Sequence, residues 1–582
     1  MSGTDSPEFP APGIVDSRRL FGPNLYSVRT GAVLEVLCDA ARAESLLDAW
    51  SAQVSELIRA VGWGDVESHV RRETGGATLF LAAPADVLMT ATEANEHAWV
   101  QVDSAGAAPH GAIVARLLAS ATAERRTRPH LVAVRGEALS RGLSATFDDE
   151  MLTIGSGAGS RSWPLGNVPA LRDIPWHAVR DVPIALVTGS NGKTTTTRLV
   201  AAMWRAAGVT PGWCCSDGVQ VGDAHLEAGD FSGPAGARAV LRDTRAEAAV
   251  LETARGGILR RGLAVSRADA AIITNISADH FGEYGVENLR HLADVKGVVA
   301  RVLGAAGRLV LNADDVLLVE LAGRLAANVS WFSISPEHPA LDTHVRAGGD
   351  AATVHDGRVI LHGDGVWVDL GDVTAMPITL RGAAPHNVQN ILGAALLGTA
   401  LRIPVDAIRE TLATFGASAQ DNPGRLQLHR FGGLTVLVDY AHNPDGLAAL
   451  CETANSLPAR RRLLLLGQAG NRDDEQIRAL ARAAWSVMPF DKVIVKEEIA
   501  LLRGRSAGEI PDILVNELAR LGVAPQDVEI APSELAAMRR AFEWAEDGDQ
   551  LVCPIHVDKT AVLAWLGRLA DSGWRARAAL PE

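Results

Sequence analysis

Seven consecutive residues carry the first chemistry: Gly189, Ser190, Asn191, Gly192, Lys193, Thr194 and Thr195. They stand between an apolar run, Ile184 to Val187, and a stretch of helical spacing from Thr194 that Gly208 closes. A strand, a glycine-rich turn and a helix make a cradle for phosphate, because N–H groups of the turn and of the helix start converge on an anion. Lys193 adds a compact positive charge, and the Thr194 hydroxyl suits a Mg2+ ligand. The loop is shorter than the common nucleotide-binding form, whose first glycine is replaced here by Val187. The alternative is an ordinary glycine-rich turn, and the flanking strand and helix weigh against it.

Two further groups fall beside this loop. Glu252 lies near the end of AAVLET (248–253), and His280 follows AAIITNI (270–276). If these runs are parallel strands, both residues lie at the carboxyl edge of the sheet, where ligands of open α/β sheets bind. A carboxylate and an imidazole there can complete a Mg2+ shell begun by Thr194. Either one alone reads as a cap or a surface residue; it is their joint position that points to metal work. Lysine is scarce in the chain, present only as Lys193, Lys296, Lys492, Lys496 and Lys559. Where arginine serves nearly everywhere, a retained lysine marks a need for a primary amine. Lys193 fits at once, and Lys296 is the second suspect. The bland alternative for Lys296 is a solvated lysine on an amphipathic helix.

The elements that must position these groups follow from periodicity. Apolar runs at 248–253, 270–276 and 308–315 end in polar residues and alternate with helical stretches, the pattern of an open parallel sheet. The same style returns after residue 419 in LTVLVDYAHNP, RRLLLLGQAGNRDD, DKVIVKEE and QLVCPIH, which reads as a second, smaller α/β unit. Before the phosphate loop, LFGPNLYS (20–27) is turn-rich, 31–63 reads as largely helical, 77–84 as a strand and 112–126 as a helix. GSGAGS (155–160) reads as a hairpin tip or linker and not a dinucleotide loop, since Pro164 arrives where a helix would have to begin. The proline-rich stretch 163–183 reads as a domain link.

A chain of 582 residues exceeds one hydrophobic core, so several domains are expected. The net charge of −14 argues against a nucleic-acid partner. No apolar run of about 18 residues is present to cross a membrane, and the polar, proline-containing first residues do not read as a signal peptide. The five cysteines have no metal spacing, which fits a reduced, cytoplasmic protein.

The shortened loop with its four threonines resembles that of the Mur ligases. SADHFGEYGVENLRHLADVKGVVA (277–300), LRGAAPHNVQNILGAALL (380–397), NPGRLQ (422–427) and VDYAHNPDGL (438–447) resemble that family's signatures in family order, across about 400 residues. TTTTRL, SDGVQVGD (216–223), LETARGGILRRGL (251–263), GRSAGE (504–509) and LFGPNLYS are most similar to the Mur-like part and the N-terminal domain of the cyanophycin synthetases. Those enzymes carry an ATP-grasp domain between the two parts, and the roughly 155 residues between LFGPNLYS and the phosphate loop leave no room for one. The aspartate-adding half of that chemistry is therefore expected to be missing. KEEIALLRGR (496–505) is also more apolar before its arginines than the family pattern, which bears on specificity for a basic amino acid.

The resemblance implies an α/β protein of three domains: an N-terminal α/β domain over 1–180, a central parallel-sheet ATP-binding domain over 181–418 and a Rossmann-like C-terminal domain over 419–582. It implies an ATP-dependent ligase that joins an amino acid to the carboxylate of a small molecule or peptide through an acyl phosphate, without nucleic acid or membrane, and compatible with a homo-oligomer. Lys193, Glu252, His280, Lys296 and Arg425 would carry the chemistry. Gly189 to Thr195, Asn387, Asn390, Arg425, Asp439 and His442 would hold ATP, and Thr194, Glu252, His280 and Lys296 would serve Mg2+, with Lys296 as a carbamate. Two alternatives fit part of the pattern: an ATP-binding paralogue that has lost ligation, and a phosphate-loop NTPase used as a switch or motor. The full set of five catalytic residues speaks against the first. HNVQN and DYAHNP, which the second does not need, speak against it.

Overall fold

Apolar alternation and buried runs set up the sheets, seen here in a computed structural model that describes residues 13–581 apart from 40, 65, 104–109 and 279–280. At the N-terminal end, β1 (Ile14–Leu20), β2 (Gly31–Leu37), β3 (Ser68–Glu73) and β4 (Gly76–Ala82) form an antiparallel sheet in the order β1-β2-β4-β3. The stretch 31–63, expected to be largely helical, opens with β2. GAVLEVL is apolar at nearly every position, so it has no 3.6-residue stripe, and its place between β1 and β4 buries it on both faces. The helix α1 (Ala43–Ala60) starts only where Leu46, Leu47, Trp50, Val54, Leu57 and Ile58 supply one buried stripe. It packs with α2 (Leu88–Asp103) on this sheet, followed by α3 (His110–Arg126) and α4 (Leu131–Ser140).

A small antiparallel sheet, β5 (Ala145–Phe147), β6 (Met151–Ile154) and β7 (Arg161–Pro164), leads onward. GSGAGS is the tip of its β6–β7 hairpin, with Ile154 paired to Arg161. Gly157 has φ +53°, and a Cβ there would lie 2.2 Å from the Ala246 carbonyl oxygen. The glycine thus lets the tip dock on the next unit, where the Ala158 amide donates to that same oxygen at 2.7 Å.

That unit is built on an eleven-stranded sheet. Its strands are β8 (Ile184–Thr188), β9 (Pro211–Cys215), β10 (Gly218–Val221), β11 (Ala224–Ala228), β12 (Ala248–Glu252), β13 (Ala268–Ile273), β14 (Leu303–Asn312), β15 (Asn328–Ser333), β16 (Ala351–His355), β17 (Arg358–Gly363) and β18 (Val366–Asp372). The order is β11-β10-β9-β12-β8-β13-β14-β15-β16-β17-β18. The seven strands from β9 to β16 in that order run parallel, and antiparallel hairpins finish both edges. One face is covered by α5 (Lys193–Ala206), whose Leu199, Val200, Met203 and Trp204 enter one core with α11 (Pro385–Ala400) and α12 (Val405–Thr414). The other carries α6 (Pro234–Arg242), α7 (Arg255–Arg261), α8 (Leu289–Gly297), α9 (Val316–Ala322) and α10 (Pro339–Arg346). β8, buried at all five positions, lies between β12 and β13. The loops after β8, β12 and β13 therefore leave the sheet side by side.

The C-terminal unit has β19 (Gln427–Phe431), β20 (Leu434–Asp439), β21 (Arg462–Leu466), β22 (Lys492–Lys496), β23 (Val528–Ala531) and β24 (Gln550–Pro554) in the order β19-β20-β24-β21-β22-β23, parallel except at β19. Around it lie α13 (Pro444–Ser456), α14 (Asp474–Val487), α15 (Glu509–Arg520), α16 (Glu534–Trp544) and α17 (Lys559–Asp571). Among the described residues no helix is long and apolar enough to cross a membrane.

Candidate active site

The loop after β8 is held by the loop after β13. The Ser190 amide donates to Asn275 O at 2.9 Å, and the Asn191 amide to Asn275 Oδ1 at 2.8 Å. Ser190 Oγ donates to Ser277 O at 3.0 Å. Two glycines are required by close approach. A Cβ on Gly189 (φ +146°) would lie 1.8 Å from Thr274 Oγ1, and one on Gly192 (φ +82°) 2.2 Å from Asn390 Oδ1. With no side chain in the way, the backbone amides that open α5 stay available to an anion. Lys193 Nζ folds back to Ser190 O at 2.9 Å, which holds its charge over the loop.

Asn390 and Asn387 sit on the first turns of α11, both buried. Asn390 Nδ2 donates to Asn387 Oδ1 at 3.0 Å, and Asn387 Nδ2 to Ile378 O at 2.9 Å. The pair thus braces Gly192 from the other side of the loop. Lys296, near the end of α8, is buried and donates to Gly189 O at 2.8 Å. The scarce lysine reaches the phosphate loop itself. His280 lies outside the described residues.

Thr194 Oγ1 donates to Glu252 Oε2 at 2.8 Å and lies 3.1 Å from Ser216 Oγ. Glu252 is fully enclosed, and burial raises its carboxyl above the usual range, with Lys193, Arg425 and the Thr194 hydroxyl only partly opposing. A buried carboxylate against a threonine hydroxyl, at the mouth of a phosphate cradle, is a donor set that suits a hard divalent cation. From the C-terminal unit, Arg425 reaches the same place: its Nη2 donates to Ser216 Oγ at 2.8 Å. Its guanidinium lies 4.2 Å from the centroid of the Tyr440 ring. Asp439 is half-buried and accepts from the Leu426 amide at 2.7 Å, which fixes the backbone next to Arg425. Burial raises its carboxyl, against the charge of Arg425. His442 Nδ1 is 3.1 Å from Tyr440 O, and its ring is edge-on to Tyr440.

Residues 187–398 match the Mur ligase middle domain and residues 424–553 the glutamate ligase domain of Mur ligases. These two stretches belong to the Mur ligase family. Over 384 residues the chain is 38% identical to cyanophycin synthetase of a Synechocystis species, covering 66% of this chain and 43% of that one. It is 40% identical over 335 residues to cyanophycin synthetase of Crocosphaera subtropica, with 58% and 38% covered. With UDP-N-acetylmuramoyl-L-alanyl-D-glutamate–2,6-diaminopimelate ligase of Chlorobaculum tepidum it shares 29% over 388 residues, covering 63% and 70%. The chain thus spans less than half the length of these cyanophycin synthetases.

Around the Mur-type loop stand residues that sequence reasoning did not single out. Asn443 and Asn191 exchange side-chain bonds across the two units, at 3.0 and 3.3 Å. Asn422 Nδ2 donates to Thr195 Oγ1 at 3.1 Å. Glu283 pairs with Arg255, the first residue of α7, and accepts from Asn471 of the C-terminal unit at 3.2 Å. Among the described residues one group has ligand spacing for a metal: Glu498, Glu534 and His556. Lys496 Nζ already stands in it, bonded to Glu534 Oε2, 2.8 Å from Glu498 Oε1 and 3.2 Å from His556 Nδ1. Burial alone would raise the Glu498 carboxyl, but Lys496 and His556 hold it far below the usual range, so an ammonium balances this cluster. His556 in turn meets Tyr440 edge-on at 5.4 Å and backs the wall behind Arg425.

Proposed function

We propose that the protein is an ATP-dependent ligase that forms an amide between an amino acid and a substrate carboxylate. The observation that carries this is the meeting at Ser216 of Thr194, beside Glu252 on the phosphate loop's unit, with Arg425 from the C-terminal unit. A switch NTPase needs no arginine from a second Rossmann-like unit at that spot. A ligase does, because its acyl phosphate must be shut away from water.

Thr194 and Glu252 would hold Mg2+, with His280 and Lys296 from the next loop and helix. The cation, when bound, supplies neutralisation of phosphate charge. Lys193 and the loop amides bind the phosphates, and Arg425 faces the transferring group. A substrate carboxylate oxygen bonds to the γ-phosphorus as the bond to the leaving ADP oxygen breaks. The amine nitrogen then bonds to the acyl carbon, the carbon–oxygen bond to phosphate breaks, and the amine gives up a proton. Most of the catalysis required is positioning and charge stabilisation, which suits a site built of loop amides, Lys193 and Arg425. Lys296 as a carbamate would add an anion close to Gly189. Similarity to the cyanophycin synthetases in LETARGGILRRGL and GRSAGE supports a basic amino acid, arginine first, as the amine.

The test is ADP release from Mg·ATP with single amino acids crossed against aspartyl and glutamyl peptides. Release is expected only when carboxylate and amine are both present. Brisk hydrolysis without them, unchanged on their addition, would establish the switch alternative. Release with neutral or acidic amino acids alone would keep the ligase and overturn basic specificity.

A further inference from the structure

The turn between β9 and β10 bridges two units twice, through adjacent residues. Ser216 joins Thr194 of α5 to Arg425. Asp217 joins Arg198, one turn further along α5, at 3.0 Å, to Lys559 of α17. Lys559 and Asp217 are 342 positions apart, and their side chains are only 18% and 16% exposed.

Lys559 breaks a local rule. It is the first residue of α17, where the helix dipole disfavours a cation and an acidic residue is the ordinary choice. It is also one of the few lysines kept in an arginine-rich chain. A local conflict of this kind is expected where a tertiary role outweighs it. The stem shows that role: Gly424 has φ +67°, and a Cβ there would come within 3.1 Å of Lys559 Cε and 3.2 Å of Cδ. The lysine thus lies along the backbone immediately before Arg425, with its ammonium across the seam.

We propose that Lys559 and Asp217 form the latch that closes the C-terminal unit on the phosphate loop, and that Lys559 is a positioning residue setting Arg425 through Gly424. This rests on the ligase assignment only for what the closed state is used for; the latch itself is a property of the two units. The carboxylate of Asp217 suits its part, since Arg425, Lys559 and Arg198 hold it ionised against the effect of burial.

The experiment follows the closed fraction of the full chain by energy transfer between dyes on exposed positions of α12 and α14, without nucleotide and with Mg·ATP, alongside titration of fluorescent ADP. Lys559→Met keeps the stem and loses the charge; Asp217→Asn removes the partner from the other unit. Each is expected to lower the closed fraction at least threefold, the double variant no further than either single one, as for an interacting pair. Lys559→Arg is expected to recover at least half of the loss. Closed fractions within a third of wild type for both single variants, or additive losses in the double, would overturn the latch. If the wild type binds no nucleotide, the ligase assignment fails, yet the nucleotide-free closed fractions still decide the latch.

Discussion

The central sheet is held on its two sides by different means. On the N-terminal side main-chain to main-chain bonds cross alongside side-chain ones: the Phe21 amide to Arg261 O at 2.9 Å, Leu263 to Pro23 O at 2.7 Å, Ala158 to Ala246 O at 2.7 Å. On the C-terminal side, among the described residues, no main-chain to main-chain bond crosses. Arg425, Lys559, Asn422, Asn443 and Asn471 meet Ser216, Asp217, Thr195, Asn191 and Glu283 through side chains. Side-chain bonds across a seam can break and re-form by rotation of the side chains at a net cost of about 1 kcal/mol each, whereas main-chain bonds hold the two backbones in one register. This contrast fits an N-terminal unit that acts as a fixed wall and a C-terminal unit that acts as the moving part. The wall also steadies the loop after β13: Arg71 donates to Gly285 O at 2.7 Å, the Thr74 amide to Glu287 Oε1 at 2.6 Å, and the Arg18 guanidinium lies 4.7 Å from the Tyr284 ring centroid.

If this contrast is right, changes on the moving side remove activity and leave stability, and changes on the fixed side do the reverse. The largest effect is expected for Arg425→Ala: ADP release lower by about 10²–10³-fold, the loss typical of one preorganised electrostatic group. Its melting temperature should stay within about a degree or two of wild type, as for a change at a part-buried side-chain contact. A melt lowered by many degrees would put the seam with the fixed contacts and break the contrast. Next comes Lys296→Arg, in the central unit under both. Arginine keeps the charge but cannot fit the short reach to Gly189 O or form a carbamate, so ADP release should fall by about 10²-fold. Titration with fluorescent ADP should show affinity within about tenfold, or 1.4 kcal/mol. Full activity of Lys296→Arg would return this lysine to a packing role.

What the sequence made legible was local. The phosphate loop is contiguous from Gly189 to Thr195, and its strand and helix announce themselves by an apolar run and by helical spacing. Arg425 stands in a short stretch whose residues could be matched to a family pattern. Gly31–Leu37 was misread because a fully apolar run is neither alternating nor striped, and only its neighbours β1 and β4 decide it. Ser216 and Asp217 look like any polar turn, and nothing near them in the chain predicts Arg425 or Lys559, more than 200 and 300 residues away. Asn443 lay inside a stretch singled out for Asp439 and His442, yet it is the asparagine, as the N-cap of α13, that reaches Asn191.

The fixed side is sharpened by Gly22→Val. A Cβ at Gly22 would lie 2.2 Å from the Leu263 carbonyl oxygen, and the main-chain bonds on either side leave no room to give. Overpacking of this kind costs about 1–3 kcal/mol. Thermal melting should show a fall of several degrees, while ADP release per folded molecule stays near wild type. Lost turnover with an unchanged melt would mean that this side, too, takes part in the working motion.

The smallest expected effect concerns Glu252, on the central sheet where the C-terminal unit meets it. Burial raises its carboxyl, so in the folded chain it holds its proton to a higher pH than when unfolded. Below the unfolded value the group is neutral in both states and costs nothing. As pH rises from the ordinary glutamate range through the raised folded value, the unfolded state ionises first, and the folded state loses stability that it does not regain at higher pH. Glu252→Gln keeps a carbonyl acceptor for Thr194 Oγ1 and cannot ionise. Without Mg2+ and nucleotide, the variant should therefore melt higher than wild type at pH 7.5, by something on the order of a degree in a chain of this size. The two should converge near pH 4.5. With Mg·ATP the order should reverse, because the carboxylate then gains the cation and the glutamine does not. A gap that ignores pH, or a wild type that is already the more stable at pH 7.5 without nucleotide, would mean that Lys193 and Arg425 neutralise this carboxylate before any ligand arrives.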